Sequence, residues 1–164
     1  MVAPHLHIDD ASGCRVIVSA TQTSPNNIAK GTLTTTHAIQ VPSRTQDLQY
    51  FELRVAVRDE ATAIRVGVAA KPMSAVQLPG STPQSVAINL SSGNVYLNGS
   101  VSGTVSLPEV RATKRCPALC VGIGIRHSSR TVLITIDGVV AWEKDGLDSV
   151  LVGSSWRLYP VVGA

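Results

Sequence analysis

Residues 49–58 read Gln49-Tyr50-Phe51-Glu52-Leu53-Arg54-Val55-Ala56-Val57-Arg58, and this stretch decides the fold class. Phe51, Leu53, Val55 and Val57 fall on one face of an extended chain, and Tyr50, Glu52, Arg54 and Ala56 fall on the other. Successive side chains of a strand point to opposite faces, so a strict period of two marks a strand with one face in a core. The mark of a helix face, apolar residues spaced three and four apart, does not persist over the length of a helix anywhere in the chain.

Working outward, the same character recurs in short runs. Downstream lie residues 64–70, with Gly67 in mid-strand where another backbone or a large side chain packs close. Residues 85–90 and 94–97 form a hairpin around Ser91-Ser92-Gly93, and Asn98-Gly99 is a turn signal before one short strand within residues 101–110. Residues 119–125 are continuously apolar, which suggests a strand buried on both faces. Residues 131–136 and 139–143 flank Asp137-Gly138, a type I′ hairpin signal, and residues 156–162 form the last strand. Upstream, residues 14–20 and 32–39 read as strands. Residues 71–84 hold Pro72, Pro79, Gly80 and Pro83 and form a long loop; residues 111–117 form another. The expectation is an all-β antiparallel sandwich of jelly-roll type with little or no helix. The expected core is Phe51, Leu53, Val55, Val66, Val68, Val121, Ile123, Ile125, Leu133, Trp142, Leu158 and Val161.

A chain of 164 residues makes one domain the default, spanning 1–164. Hydrophobic residues at 44% suffice for a real core, and aromatics at 4% force that core onto aliphatic side chains. The net charge of +3 comes from scattered residues, and the densest basic group, Arg111, Lys114 and Arg115, reads as a solvated loop; no nucleic-acid partner is expected. The cysteines Cys14, Cys116 and Cys120 are odd in number, where a small secreted scaffold carries an even set. Residues 1–10 contain Pro4, His5, His7 and acids with no apolar signal core, and no run is long enough to span a bilayer. An intracellular, cytoplasmic location with no membrane partner is expected.

No constellation carries a reaction. Cys116 and Cys120 supply half a zinc site, and His127 does not complete it. His5 and His7 share a strand face near Asp9 and Asp10, but a terminal segment of this kind is expected to be solvated or frayed. Gly153-Ser154-Ser155 lacks the strand-to-helix turn of a nucleophile elbow, and nothing in the sequence pairs Glu52, Asp137 and Glu143 across a cleft. No catalysis, cofactor, metal or small-molecule substrate is expected. Trp142, Trp156 and Tyr159 read as core anchors. Tyr96 differs: it ends a hairpin strand beside the Asn98-Gly99 turn, where a tyrosine offers large contact area at small entropic cost.

Seven blocks stand in a telling order: Tyr50-Phe51-Glu52-Leu53, Arg65-Val66-Gly67-Val68-Ala69, Ser85-Val86-Ala87-Ile88-Asn89-Leu90, Ser92-Gly93-Asn94-Val95-Tyr96, Val121-Gly122-Ile123-Gly124-Ile125, Ile136-Asp137-Gly138 and Leu158-Tyr159-Pro160-Val161-Val162. Thr35-Thr36-His37-Ala38-Ile39 adds a strand before the first. In order and spacing the chain resembles the SPRY domain family over residues 31–164. It departs from the family at Leu119-Cys120, where Gly-Asp is common, and in lacking a tryptophan within residues 85–90. The resemblance implies a sandwich that binds a peptide segment or domain surface of a protein partner through loops at one end. It implies contact by Tyr96, by Ser24, Pro25, Asn26, Asn27 and Ile28, and by Met73, Val76, Gln77 and Leu78 of the long loop. Two other readings stand beside it. Thr135-Ile136-Asp137-Gly138 also fits a carbohydrate-binding jelly roll. Relatives usually continue past Leu-Tyr-Pro with another strand, so the chain also fits a structural subunit whose open edge a neighbour completes.

Overall fold

The computed structural model describes residues 5–9, 15–19, 32–34, 47–56, 64–74, 76–108, 118–146 and 158–163. In chain order the strands are β1 (His5–Asp9), β2 (Arg15–Ser19), β3 (Thr32–Thr34), β4 (Leu48–Ala56), β5 (Arg65–Ala69) and β6 (Ser85–Asn89). They continue as β7 (Asn94–Leu97), β8 (Ser100–Thr104), β9 (Ala118–Arg126), β10 (Thr131–Ile136), β11 (Val139–Lys144) and β12 (Tyr159–Gly163). Among the described residues there is no helix. Val57, Cys116, Trp156 and residues 24–28 and 35–39 lie outside them.

A four-stranded sheet runs β11-β10-β9-β4 and a six-stranded sheet runs β3-β12-β5-β6-β7-β8, with every pairing antiparallel. β1 and β2 form their own pair, so the segment expected to fray is a strand, His5 lying opposite Ser19 and Asp9 opposite Arg15. The alternation of residues 49–55 sets the register of the first sheet: Phe51 faces Ile123, Leu53 faces Val121, and Ile123 faces Ile134. From the second sheet come Val66 opposite Ile88, and Val68 opposite Val86. These residues make one aliphatic core, each fully buried branched side chain contributing about 1.5–3 kcal/mol. Phe51, Leu53, Val55 and Trp142 are half-buried and pack on its rim. Trp142 reaches from β11 to β8, where Gly103 makes room: a Cβ there would lie 2.3 Å from the indole Nε1.

Two expected core residues are buried on the outer faces instead. Val161 pairs with Gly67, which pairs with Ala87, so it projects from the six-stranded sheet away from the main core, yet it is fully buried. Leu133 pairs with Gly124 on the outer face of the other sheet and is buried there. A period of two assigns a residue to a face but does not say which faces are covered. The last strand also differs from expectation. β12 lies between β3 and β5, so both of its sides are paired, and among the described residues the outermost strands of that sheet are β3 and β8.

Both hairpin signals become turns with left-handed backbone. Asn98 and Gly99 sit at φ 52 and 88, and Asp137 and Gly138 at φ 50 and 80, the pair of positive angles a type I′ turn requires.

Candidate functional site

Tyr96 lies on β7 opposite Ala87 of β6, so its ring leaves the outer face of the six-stranded sheet. It is half-buried. Arg65, on β5 two strands away, lays its guanidinium 3.8 Å from the ring centroid. A cation over an aromatic face is attracted to the negative ring quadrupole, and the pair stiffens both side chains. The Arg65 Nη1 also donates to the Pro79 carbonyl at 3.4 Å, which ties the tyrosine to the long loop.

Backbone bonds hold that loop to the sheet. Ala70 N donates to the Gln84 carbonyl at 2.9 Å and closes its base. Gln77 N donates to the Ser74 carbonyl and Ser81 N to the Leu78 carbonyl, both at 3.0 Å, which folds the loop into two successive turns. Gly99 N donates to the Gly80 carbonyl at 3.0 Å, and Gln84 N to the Asn98 Oδ1 at 2.9 Å. Gly80, at φ 78, presses on the tyrosine: a Cβ there would lie 2.6 Å from the Tyr96 Cβ and 3.1 Å from that of Ala87. Pro79 and Gly80 are buried, Met73 and Leu78 half-buried, and Gln77 exposed. Val76 is 82% exposed at the tip. The same tethered loop that meets the tyrosine at Gly80 thus offers an aliphatic side chain to solvent at its tip.

Tyr96 and the long loop, distant in sequence, therefore come together at Gly80. The other predicted segment, residues 24–28, lies outside the described residues. Arg65 was not legible as a member of the group. Its place on the Gly67 face follows from alternation, but its contact with Tyr96 depends on the register of three strands.

A second polar cluster lies on the outer face of the four-stranded sheet. Tyr50 and Glu52 stand opposite Gly124 and Gly122, and the absence of side chains there lets the Tyr50 ring lie flat across β9. The Tyr50 hydroxyl donates to Glu52 Oε2 at 2.9 Å and lies 2.7 Å from Thr135 Oγ1. Cys120 Sγ donates to Glu52 Oε1 at 2.7 Å, and Cys120 N donates to Asp137 Oδ1 at 2.9 Å. The thiol and hydroxyl donors hold the Glu52 carboxyl below its usual range, while the bond to Glu52 and burial push the Cys120 thiol up. A thiol held protonated is a poor nucleophile. In a Cys14→Ser, Cys116→Ser background, Glu52→Gln is therefore expected to speed alkylation of Cys120 by iodoacetamide at pH 8, because the charge opposing the thiolate is gone. An unchanged rate would show that Glu52 does not set its reactivity.

Glu52 and Asp137, which nothing in the sequence pairs, thus both engage Cys120, one through its thiol and the other through its backbone N–H. His127 Nε2 lies 2.8 Å from Gln49 Oε1, away from the Cys120 cluster. Thr135 and Asp137, the lectin-like signal, are engaged by Tyr50 and the Cys120 backbone. Among the described residues no group of three His, Cys, Asp or Glu side chains is placed to hold a metal ion.

The family described as SPRY domain matches residues 48–164. The chain is 31% identical over 127 residues to protein ssh4 of Neosartorya fischeri, covering 77% of this chain and 22% of that protein. To the protein of the same name in Sclerotinia sclerotiorum it is 32% identical over 127 residues, with the same 77% and 22% coverage. The chain thus spans 22% of the length of these curated relatives. Among solved structures it resembles the SPRY domain of human HERC1, with TM-score 0.55, 19% identity and coverage of 82% of this chain and 74% of that one. It also resembles the PSpry domain of TRIM65, with TM-score 0.59, 13% identity and coverage of 97% and 80%. A human SPRY domain structure gives TM-score 0.57 at 17% identity, covering 82% and 78%. SPRY domains serve generally as protein-interaction modules. With the two-sheet sandwich and a family match running from the start of β4 to the end of β12, the chain belongs to the SPRY domain family.

Proposed function

We propose that this domain is a non-catalytic module that binds a peptide segment or domain surface of a partner protein through the 71–84 loop and Tyr96. The observation that carries this reading is the juxtaposition at Gly80: a half-exposed tyrosine, braced by Arg65, beside a pinned loop whose tip exposes Val76. A rigid aromatic and an aliphatic side chain on one pinned loop-and-strand unit suit a hot spot, because little entropy is lost when a partner covers them. Loops held on a stiff scaffold are also where sandwich proteins usually carry recognition.

The test is affinity purification of the chain with mass spectrometry of bound proteins, repeated with Val76→Asp. Val76 stands in solvent, so the substitution should change stability by no more than about 0.5 kcal/mol. A charge placed in an apolar contact should weaken binding about tenfold, close to 1.4 kcal/mol. Partners retained at full yield by Val76→Asp and by Gln77→Ala would remove the loop tip from the interface.

A further inference from the structure

We infer that the segment recognised at this surface carries a carboxylate, an Asp or Glu side chain, that docks on the Arg65 guanidinium. This deepens the binding reading above and rests on it. Guanidinium groups present five N–H donors in a planar fork that matches a carboxylate. In Arg65 one nitrogen donates to the Pro79 carbonyl and the plane lies over Tyr96. Among the described residues no carboxylate pairs with it, so the charge of a half-buried arginine is left unanswered next to the candidate site.

The distribution of charge makes the same point over a larger area. Between Glu60 and Glu109 the chain has no Asp or Glu, and Arg65 and Lys71 are its only charged residues there. That interval supplies β5, β6, β7, β8 and the whole long loop. β3 and β12, which complete the six-stranded sheet, also lack acids. The described carboxylates outside β1, at Asp47, Glu52, Asp137, Glu143 and Asp145, lie on or beside the strands of the other sheet. Among the described residues, the strands and long loop of this sheet therefore carry the positive charges of Arg65 and Lys71 and no carboxylate. Such a surface is complementary to an acidic segment and penalises a basic one.

The test pans a phage-displayed library of random peptides over the chain. Enriched peptides are resynthesised with each Asp or Glu replaced by its amide, and affinities are measured by fluorescence polarisation against wild type, Arg65→Gln and Arg65→Lys. One acid-to-amide step is expected to weaken binding to wild type about tenfold and to change binding to Arg65→Gln little, the signature of a coupled pair. Arg65→Lys, a point charge without the fork, should recover only part of the discrimination. If thermal melting shows Arg65→Gln unfolded, Arg65→Lys decides, and its acid-to-amide step must be smaller than that of wild type. An equal step on wild type and variant overturns the inference. Enriched peptides without acids that still lose affinity with Val76→Asp also overturn it while leaving the binding surface in place. Peptides indifferent to both Val76→Asp and Tyr96→Ala, or no enrichment at all, sink the surface and the inference together.

Discussion

Tyr96→Ala is expected to weaken partner binding about tenfold or more, the cost of truncating an aromatic hot spot at roughly 1.4 kcal/mol or above, while the domain still melts cooperatively. Two contributions make the effect large. The ring itself is lost as contact area, and Arg65 loses the face on which it rests 3.8 Å above the centroid. Because Tyr96 is half-buried and lies outside the aliphatic core, its truncation should cost stability only about 1–2 kcal/mol, less than a full core deletion. Titration calorimetry with a purified partner, paired with differential scanning calorimetry, separates the two outcomes. Unchanged affinity with an unchanged melt would take Tyr96 out of the site. A collapsed melt would make it a structural residue.

The largest effect on stability is expected from Gly67→Ala. A Cβ on Gly67 would lie 2.3 Å from the Val86 carbonyl oxygen and 2.7 Å from the Ala87 Cβ. Both obstacles belong to the neighbouring strand, and the nearer one is backbone, so no side-chain rotation relieves the overlap. β5 and β6 must separate in the middle of the six-stranded sheet, where Val66, Val68, Val86 and Ile88 of the core pair across them. Overpacking of this kind costs about 3 kcal/mol, and for a domain of this size that lowers the melting temperature by roughly 6–12 °C. Gly138→Ala is the control. Nothing lies within 4 Å of its added carbon, so only the left-handed backbone is disfavoured, by about 1 kcal/mol. Equal melting temperatures for the two variants would show that the sheet yields at Gly67.

Much of the architecture was legible because its signals are local. The alternation of Phe51, Leu53 and Val55, the Asn98-Gly99 and Asp137-Gly138 turns, and the proline-rich loop each depend on neighbours in the chain. The physical chemistry of a strand or a turn is complete within a few residues. Gly67 was readable as a point of close approach for the same reason, although which atoms approach it was not. Exposure was harder. Leu133 and Val161 read as core and are buried, but on the outer faces of their sheets. Hydrophobicity records that a residue leaves water and not which layer covers it.

By itself the sequence determined a two-sheet antiparallel sandwich of the SPRY family, with a long loop after β5 and a tyrosine at a hairpin mouth. Only the tertiary structure decided what meets that tyrosine. Arg65 reaches Tyr96 because β5, β6 and β7 pair in one register, and Gly80 meets it because the loop folds back over the sheet. Glu52 finds Cys120 in the same way, across β4 and β9, 68 residues apart. A strand's own pattern says which way its side chains point. What they touch depends on which strand lies alongside and at what offset, and that is set by the packing of the whole core rather than by any segment of it.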